Sequence, residues 1–206
     1  MDISVGTGHD EHAASHASHI DEERKVRLGM FFYVVTDIIF ALFIVVAYIF
    51  LRSANVAGQW FPPGTPNINF LQPTIFTVIL VLSGIFYAVG QFAAGRGNQG
   101  LLRIGIGLAA LLWLVAFGCQ IWYMFHMPFV TQDGSFASTY ITMTGYHLFH
   151  LSLGLIMVLG ITVRTFQGRY TPQKMLGIVV IGYYWYWTVA LGIIFWLLPI
   201  ILPAKI

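Results

Sequence analysis

Apolar residues fall into five long runs, at about 28–51, 70–94, 101–125, 138–163 and 175–202, each closed by a short polar or turn-forming segment. At about 1.5 Å of rise per residue, each run exceeds the roughly 30 Å hydrocarbon core of a bilayer. Hydrocarbon offers no partner to backbone N–H and C=O groups, so runs of this kind must close their hydrogen bonds internally as helices. The pattern predicts an all-α integral membrane protein. Residues 1–27 form a polar, His-rich tail and residues 28–203 a domain of five transmembrane helices. The breaks are of recognisable kinds. Pro62, Pro63, Gly64, Pro66 and Pro73 crowd the first loop, and Gly95-Arg96-Gly97-Asn98 reads as a tight turn. Residues 126–137 and 164–174 supply the other two connections. Pro199 is expected to bend or end the fifth helix. There is no internal repeat and no pair of interrupted helices of the transporter kind.

Composition agrees: 58% of residues are hydrophobic and 9% charged, with a mean hydropathy of +0.78, against about 25% charged in soluble domains. The net charge of +2 matters less than its placement. With five spans, Arg24, Lys25, Arg27, Arg96, Arg103, Arg164, Arg169 and Lys174 share one side, and Arg52 and Lys205 the other. The positive-inside bias predicts a cytoplasmic N-terminus and an external C-terminus. Trp60, Phe61, Trp122, Tyr123 and Trp196 are expected at the interfaces as aromatic belts. Cys119 stands alone in an apolar run, so no intrachain disulfide is possible and a small buried residue is expected. The Met-Asp-Ile-Ser start does not resemble a signal peptide. His9, His12, His16 and His19 lie in the tail, where a solvated, unstructured segment is expected in preference to a metal-binding tract.

Ionisable residues inside the spans are few. Asp37 is the sole Asp or Glu within a run, and His147 and His150 lie three apart in Thr-Gly-Tyr-His-Leu-Phe-His, residues 144–150. Charges and imidazoles at such depth need partners. Asp37 lies roughly 14 Å from the start of its run, and the two histidines lie roughly 17 and 12 Å from the same membrane face. A hydrogen bond from Asp37 to His147 or His150, linking the first and fourth helices, is therefore expected. Paired axial haem ligands belong on facing helices, and copper needs more imidazole or soft ligands at one depth. Both metals fit this pattern poorly, and a pump or channel would need a longer polar path.

The motifs resemble subunit III of haem-copper oxidases in its five-helix bacterial form. Leu28-Gly29-Met30, Thr36-Asp37 with Phe40, and Tyr48-Ile49-Phe50-Leu51-Arg52 follow the order of that family's first helix, with Asp37 on its intramembrane glutamate. Gln59-Trp60-Phe61-Pro62-Pro63 resembles its Trp-x-Pro-Pro loop, and Phe92 to Gly97 its cytoplasmic turn. Residues 144–150 resemble its Thr-Gly-Phe-His-Gly-x-His, and Tyr183-Tyr184-Trp185 the start of its last-helix signature. The chain departs from the pattern in three places. The signature's His-Phe-Val-Asp is here Tyr186-Trp187-Thr188-Val189, the acid near the end of the third helix is missing after Gln120, and the glutamate is shortened to Asp37. A polar network stripped down to Asp37, His147 and His150 is expected.

The resemblance implies a non-catalytic subunit, in a bacterial plasma membrane, of a cytochrome c or quinol oxidase that reduces oxygen and translocates protons. It implies no haem or copper on this chain, metals in a partner subunit, and stabilisation of that subunit's metal centre. The implied partners are oxidase subunits I and II, with subunit IV and a respiratory supercomplex beyond them. It also implies a V-shaped, phospholipid-filled cleft between helices one–two and three–five. Arg52, Arg96 and Arg103 are the expected lipid-binding cations. An accessory protein of nitric oxide reductase with the same fold, or an independent small transporter, are the alternative readings. Nothing in the chain points to nucleic acid.

Overall fold

The computed structural model describes residues 7–55, 60–61, 64 and 68–203, with side chains from residue 21 onward. Gln59, Pro62, Pro63, Pro66, Lys205 and the imidazoles of His9, His12, His16 and His19 lie outside the described set. Five helices follow in order: α1 (Thr7–Ser53), α2 (Leu71–Gly95), α3 (Gln99–Phe125), α4 (Ser135–Phe166) and α5 (Leu176–Ile201). All five are long and apolar enough to cross a membrane, α1 through its Asp21–Ser53 part. There is no strand among the described residues.

The helix ends follow local chemistry. Gly97, at φ +72°, ends α2 with Asn98 N–H bonded to Ala93 O and Gly97 N–H to Ala94 O. This left-handed cap is one that glycine adopts without a Cβ penalty. Asn98 then caps α3, its Oδ1 accepting from Leu101 N–H at 3.1 Å. Gly168, at φ +68°, ends α4 in the same manner. Residues 9–28 contain no Gly or Pro, and the backbone of α1 runs helically from Thr7. The expected unstructured tail therefore gives way to helix. Pro199 lies inside α5, which continues to Ile201.

Helices α2, α3, α4 and α5 form a ring of neighbours, and α1 lies outside it, against α4 and α5. Among the described residues α1 does not touch α2. The expected grouping of helices one–two against three–five is thereby corrected: α1 and α2 lie on different flanks of α5. The reason is the grip of α2 on α3. A Cβ on Gly105 would stand 2.7 Å from the Gly90 backbone, so the two helices approach at a level that excludes any side chain. The connection between Ser53 and Leu71 is long enough to let α1 go elsewhere. Gly154 makes a second close approach, since its Cβ would lie 2.2 Å from the Trp113 ring.

Two expectations about single residues change. Trp60 (2% exposed) and Tyr123 (4%) are core residues and do not belong to an interface belt. Trp60 packs edge-on against Tyr48 and Phe136, and Phe136 N–H donates to its carbonyl at 2.9 Å. Cys119 is half-buried, not buried. Gly105→Val and Gly154→Val should each cost about 1–3 kcal/mol or more by overpacking. Gly160, where a Cβ meets nothing within 4 Å, should accept Ala within about 0.5 kcal/mol. Unfolding midpoints of the purified variants in mixed micelles check both.

Candidate functional site

Asp37 sits at mid-span on α1 and turns toward α4 and α5. Its Oδ1 accepts a short hydrogen bond from the Tyr146 hydroxyl, and its Oδ2 one from Trp187 Nε1. His150 Nε2 lies 2.9 Å from Oδ2, although its N–H is not aimed along that line. An ionised carboxylate accepts only; Tyr146 of α4 and Trp187 of α5 donate to it, and the His150 ring faces it. The side chain is 12% exposed and that of His150 1%. His150 Nδ1 donates to Tyr146 O, one turn earlier, at 2.9 Å, so Nε2 faces the carboxylate as a donor only when the ring is the charged imidazolium. The Tyr184 hydroxyl donates to His150 O at 2.6 Å and ties α5 to the same turn of α4.

His147 looks the other way. Its Nδ1 lies 2.9 Å from Gln120 Oε1 of α3 and its Nε2 3.2 Å from Thr188 O of α5; both oxygens are acceptors, so a neutral ring donates to one of them at a time. Gln120 Nε2 in turn donates to Thr144 O at 3.0 Å. The absence of a side chain at Gly192 makes room, since a Cβ there would lie 2.8 Å from His147 Nε2. The two histidines therefore do not share a site. His150 meets Asp37 at the α1 seam, and His147 locks α3, α4 and α5 together. Of the two pairings expected from depth, the structure makes the one with His150.

Sequence reasoning missed Tyr146, Trp187 and Gln120 as members of these networks. Tyr146 and Trp187 bring donors to Asp37 from α4 and α5, so the network around it is larger than the three residues expected. The arrangement can fix α1 in position and hold a proton between Nε2 and Oδ2. Among the described residues no group of three or more His, Cys, Asp or Glu converges as a metal site requires.

A second site lies where α1 passes the α4–α5 connection. A cavity of about 750 Å³ is lined by Glu23, Arg164, Arg169, Tyr170, Thr171 and Lys174, with Val26, Leu176, Val180 and Ile181 as apolar walls. The Tyr170 hydroxyl is buried and has no aligned hydrogen-bond partner among the described residues. Burial pushes this phenol above its ordinary pKa, with the Arg164 guanidinium partly opposing, so it remains a neutral donor. None of the expected cations lines this cavity, although Arg103 Nη2 reaches the Gly168 turn at its edge, 3.9 Å from where a Cβ on Gly168 would stand. Arg52 Nε donates to Pro203 O at 3.2 Å. Arg96 stacks over Phe92 at 4.0 Å, and Arg103 is exposed on α3.

Five apolar helices with buried polar cross-links define a multi-pass membrane protein. A family profile described as cytochrome c oxidase subunit III matches residues 8–202, and the chain belongs to that family. It is 27% identical over 199 residues to cytochrome c oxidase subunit 3 of Thermostichus vulcanus, covering 96% of this chain and 98% of that protein. It is 26% identical over 189 residues to the protein of the same name from Synechocystis sp., covering 91% and 80%. A probable cytochrome c oxidase subunit 3 of Mycobacterium tuberculosis is 28% identical over 191 residues, covering 90% and 92%.

A double-mutant cycle separates the two networks. Asp37→Asn with Tyr146→Phe should show a coupling on the order of 1 kcal/mol, at the upper end of intramembrane hydrogen bonds. Asp37→Asn with His147→Ala should be additive within about 0.5 kcal/mol. Unfolding free energies in micelles read both cycles.

Proposed function

We propose that this chain is the non-catalytic, phospholipid-binding subunit of a respiratory terminal oxidase, packed beside the haem-bearing subunit I, with subunit II in the same complex and the N-terminus cytoplasmic. One observation carries the non-catalytic part. Each ring nitrogen of the two intramembrane histidines is already engaged by another helix, its own backbone or Asp37. Groups committed to holding helices together support a scaffold, whose effect on the reaction is to stabilise the catalytic neighbour. Family membership supports the partnership.

The cavity at the α4–α5 connection supports the lipid part. Arg164, Arg169 and Lys174 outnumber the single carboxylate of Glu23, and Tyr170 adds a hydroxyl beside Arg164 above apolar walls. Cations over an apolar wall at the membrane surface suit an anionic headgroup. The cation-rich face of the chain is, in this reading, the cytoplasmic one.

Affinity purification of the tagged chain from native membranes tests the assignment. Haem absorption bands and the masses of subunits I and II are expected in the same fraction, and a colourless, self-sufficient oligomer would contradict it. Arg164→Gln with Arg169→Gln should lower the anionic phospholipid recovered with the complex while leaving its haem spectrum unchanged.

A further inference from the structure

We infer that the N-terminal extension of α1 is a binding site for a divalent transition metal ion of the zinc type, with His12 and His16 as its clamp and His9 and His19 one turn away on either side. In a coil the spacing of these histidines has no order, but the backbone of α1 is helical from Thr7, well before the spanning part begins at Asp21. A helix turns about 100° per residue, so positions 9, 12, 16 and 19 fall within an arc of about 80° along about 15 Å of axis. Continued down α1, the same arc carries Glu23, Met30, Asp37 and Tyr48. Asp37 and Tyr48 are the residues whose hydrogen bonds tie α1 to the rest of the fold. The four histidine positions therefore continue the packed face of α1 toward its N-terminus as a single row. His12 and His16 have the His-x-x-x-His spacing by which helices hold zinc, and neutral imidazole suits zinc, copper and nickel. Glu23, four residues beyond His19, adds a carboxylate to the row, and its contact with Arg27 is loose at 3.8 Å. The surrounding charge favours a cation. Residues 1–23 hold six Asp or Glu and no Lys or Arg, so the local field draws positive ions to this segment. Ala13, Ala14 and Ala17 between the histidines favour the helix that brings them into line.

Equilibrium dialysis against buffered zinc tests the site. The full chain is purified from native membranes, with whatever accompanies it, through a tag that contains no histidine, and is washed with chelator beforehand. Bound metal is counted by mass spectrometry. Wild type should hold about one zinc ion per chain more than His12→Gln plus His16→Gln. With His9→Gln plus His19→Gln, half-saturation should move to several-fold higher zinc. Ser15→His plus His16→Ser keeps the composition but turns one imidazole about 100° off the row, and should lose the ion as the His12 and His16 changes do. Far-ultraviolet circular dichroism, unchanged among the variants, verifies that each one folds. Equal zinc on wild type and on His12→Gln plus His16→Gln would overturn the proposal. Full binding by the Ser15 and His16 exchange would overturn it too, because a chelating tract without helical register would then hold the metal.

Discussion

A carboxylate in the hydrocarbon of a bilayer must be met by donors, because nothing in lipid will meet it. Asp37 imposes that condition on this fold. Helix α1 is the helix outside the ring, and its spanning part is the least buried of the five. Its outer face offers Phe31, Phe43 and Phe50 to the surroundings, so apolar burial against the bundle is modest. What fixes its rotation and depth is the convergence of Tyr146, Trp187 and His150 on one side chain. At the far end, the Tyr48 hydroxyl on Leu202 O and Arg52 on Pro203 O complete the seam. The ring itself obeys a different rule. There the helices are drawn together at Gly90, Gly105 and Gly154, and polar groups such as Ser83, Trp185 and Tyr87 cross-link them.

Much of this was legible in the sequence, for stated reasons. Span lengths follow from hydrocarbon thickness, and the Gly-Arg-Gly-Asn turn from the φ that Gly97 alone supplies. The depth match of Asp37 with the histidines follows from helical rise. What depth cannot supply is azimuth. His147 and His150 differ by about 60° around α4, enough to send one to α3 and α5 and the other to α1. Which neighbour lies in which direction depends on the Gly90–Gly105 contact, which no local pattern announces. The position of α1 outside the ring was hidden for the same reason. Trp60 and Tyr123 were misread because an aromatic residue near a span end has the same composition whether it faces lipid headgroups or a folded-back loop. The basic cavity needed the Gly168 cap to turn Arg169 and Tyr170 back toward α1.

Tyr146 and Trp187 are aromatic donors that meet Asp37 from two different helices, α4 and α5. Both also bring aromatic bulk to the seam, where Phe40 stacks on Tyr146 at 5.4 Å. Among the described residues, this contact of four side chains shares no side-chain hydrogen bond with the His147–Gln120 lock. That separation underlies the scaffold role proposed above.

The central claim is that Asp37 is a structural key and not a proton carrier. The most direct test is the number of protons translocated per electron by reconstituted oxidase carrying Asp37→Asn, measured with the occupancy of this subunit in the same preparation. The account predicts an unchanged ratio wherever the subunit is retained, with looser retention during purification. A lowered ratio in complexes that keep the subunit at full occupancy would contradict it.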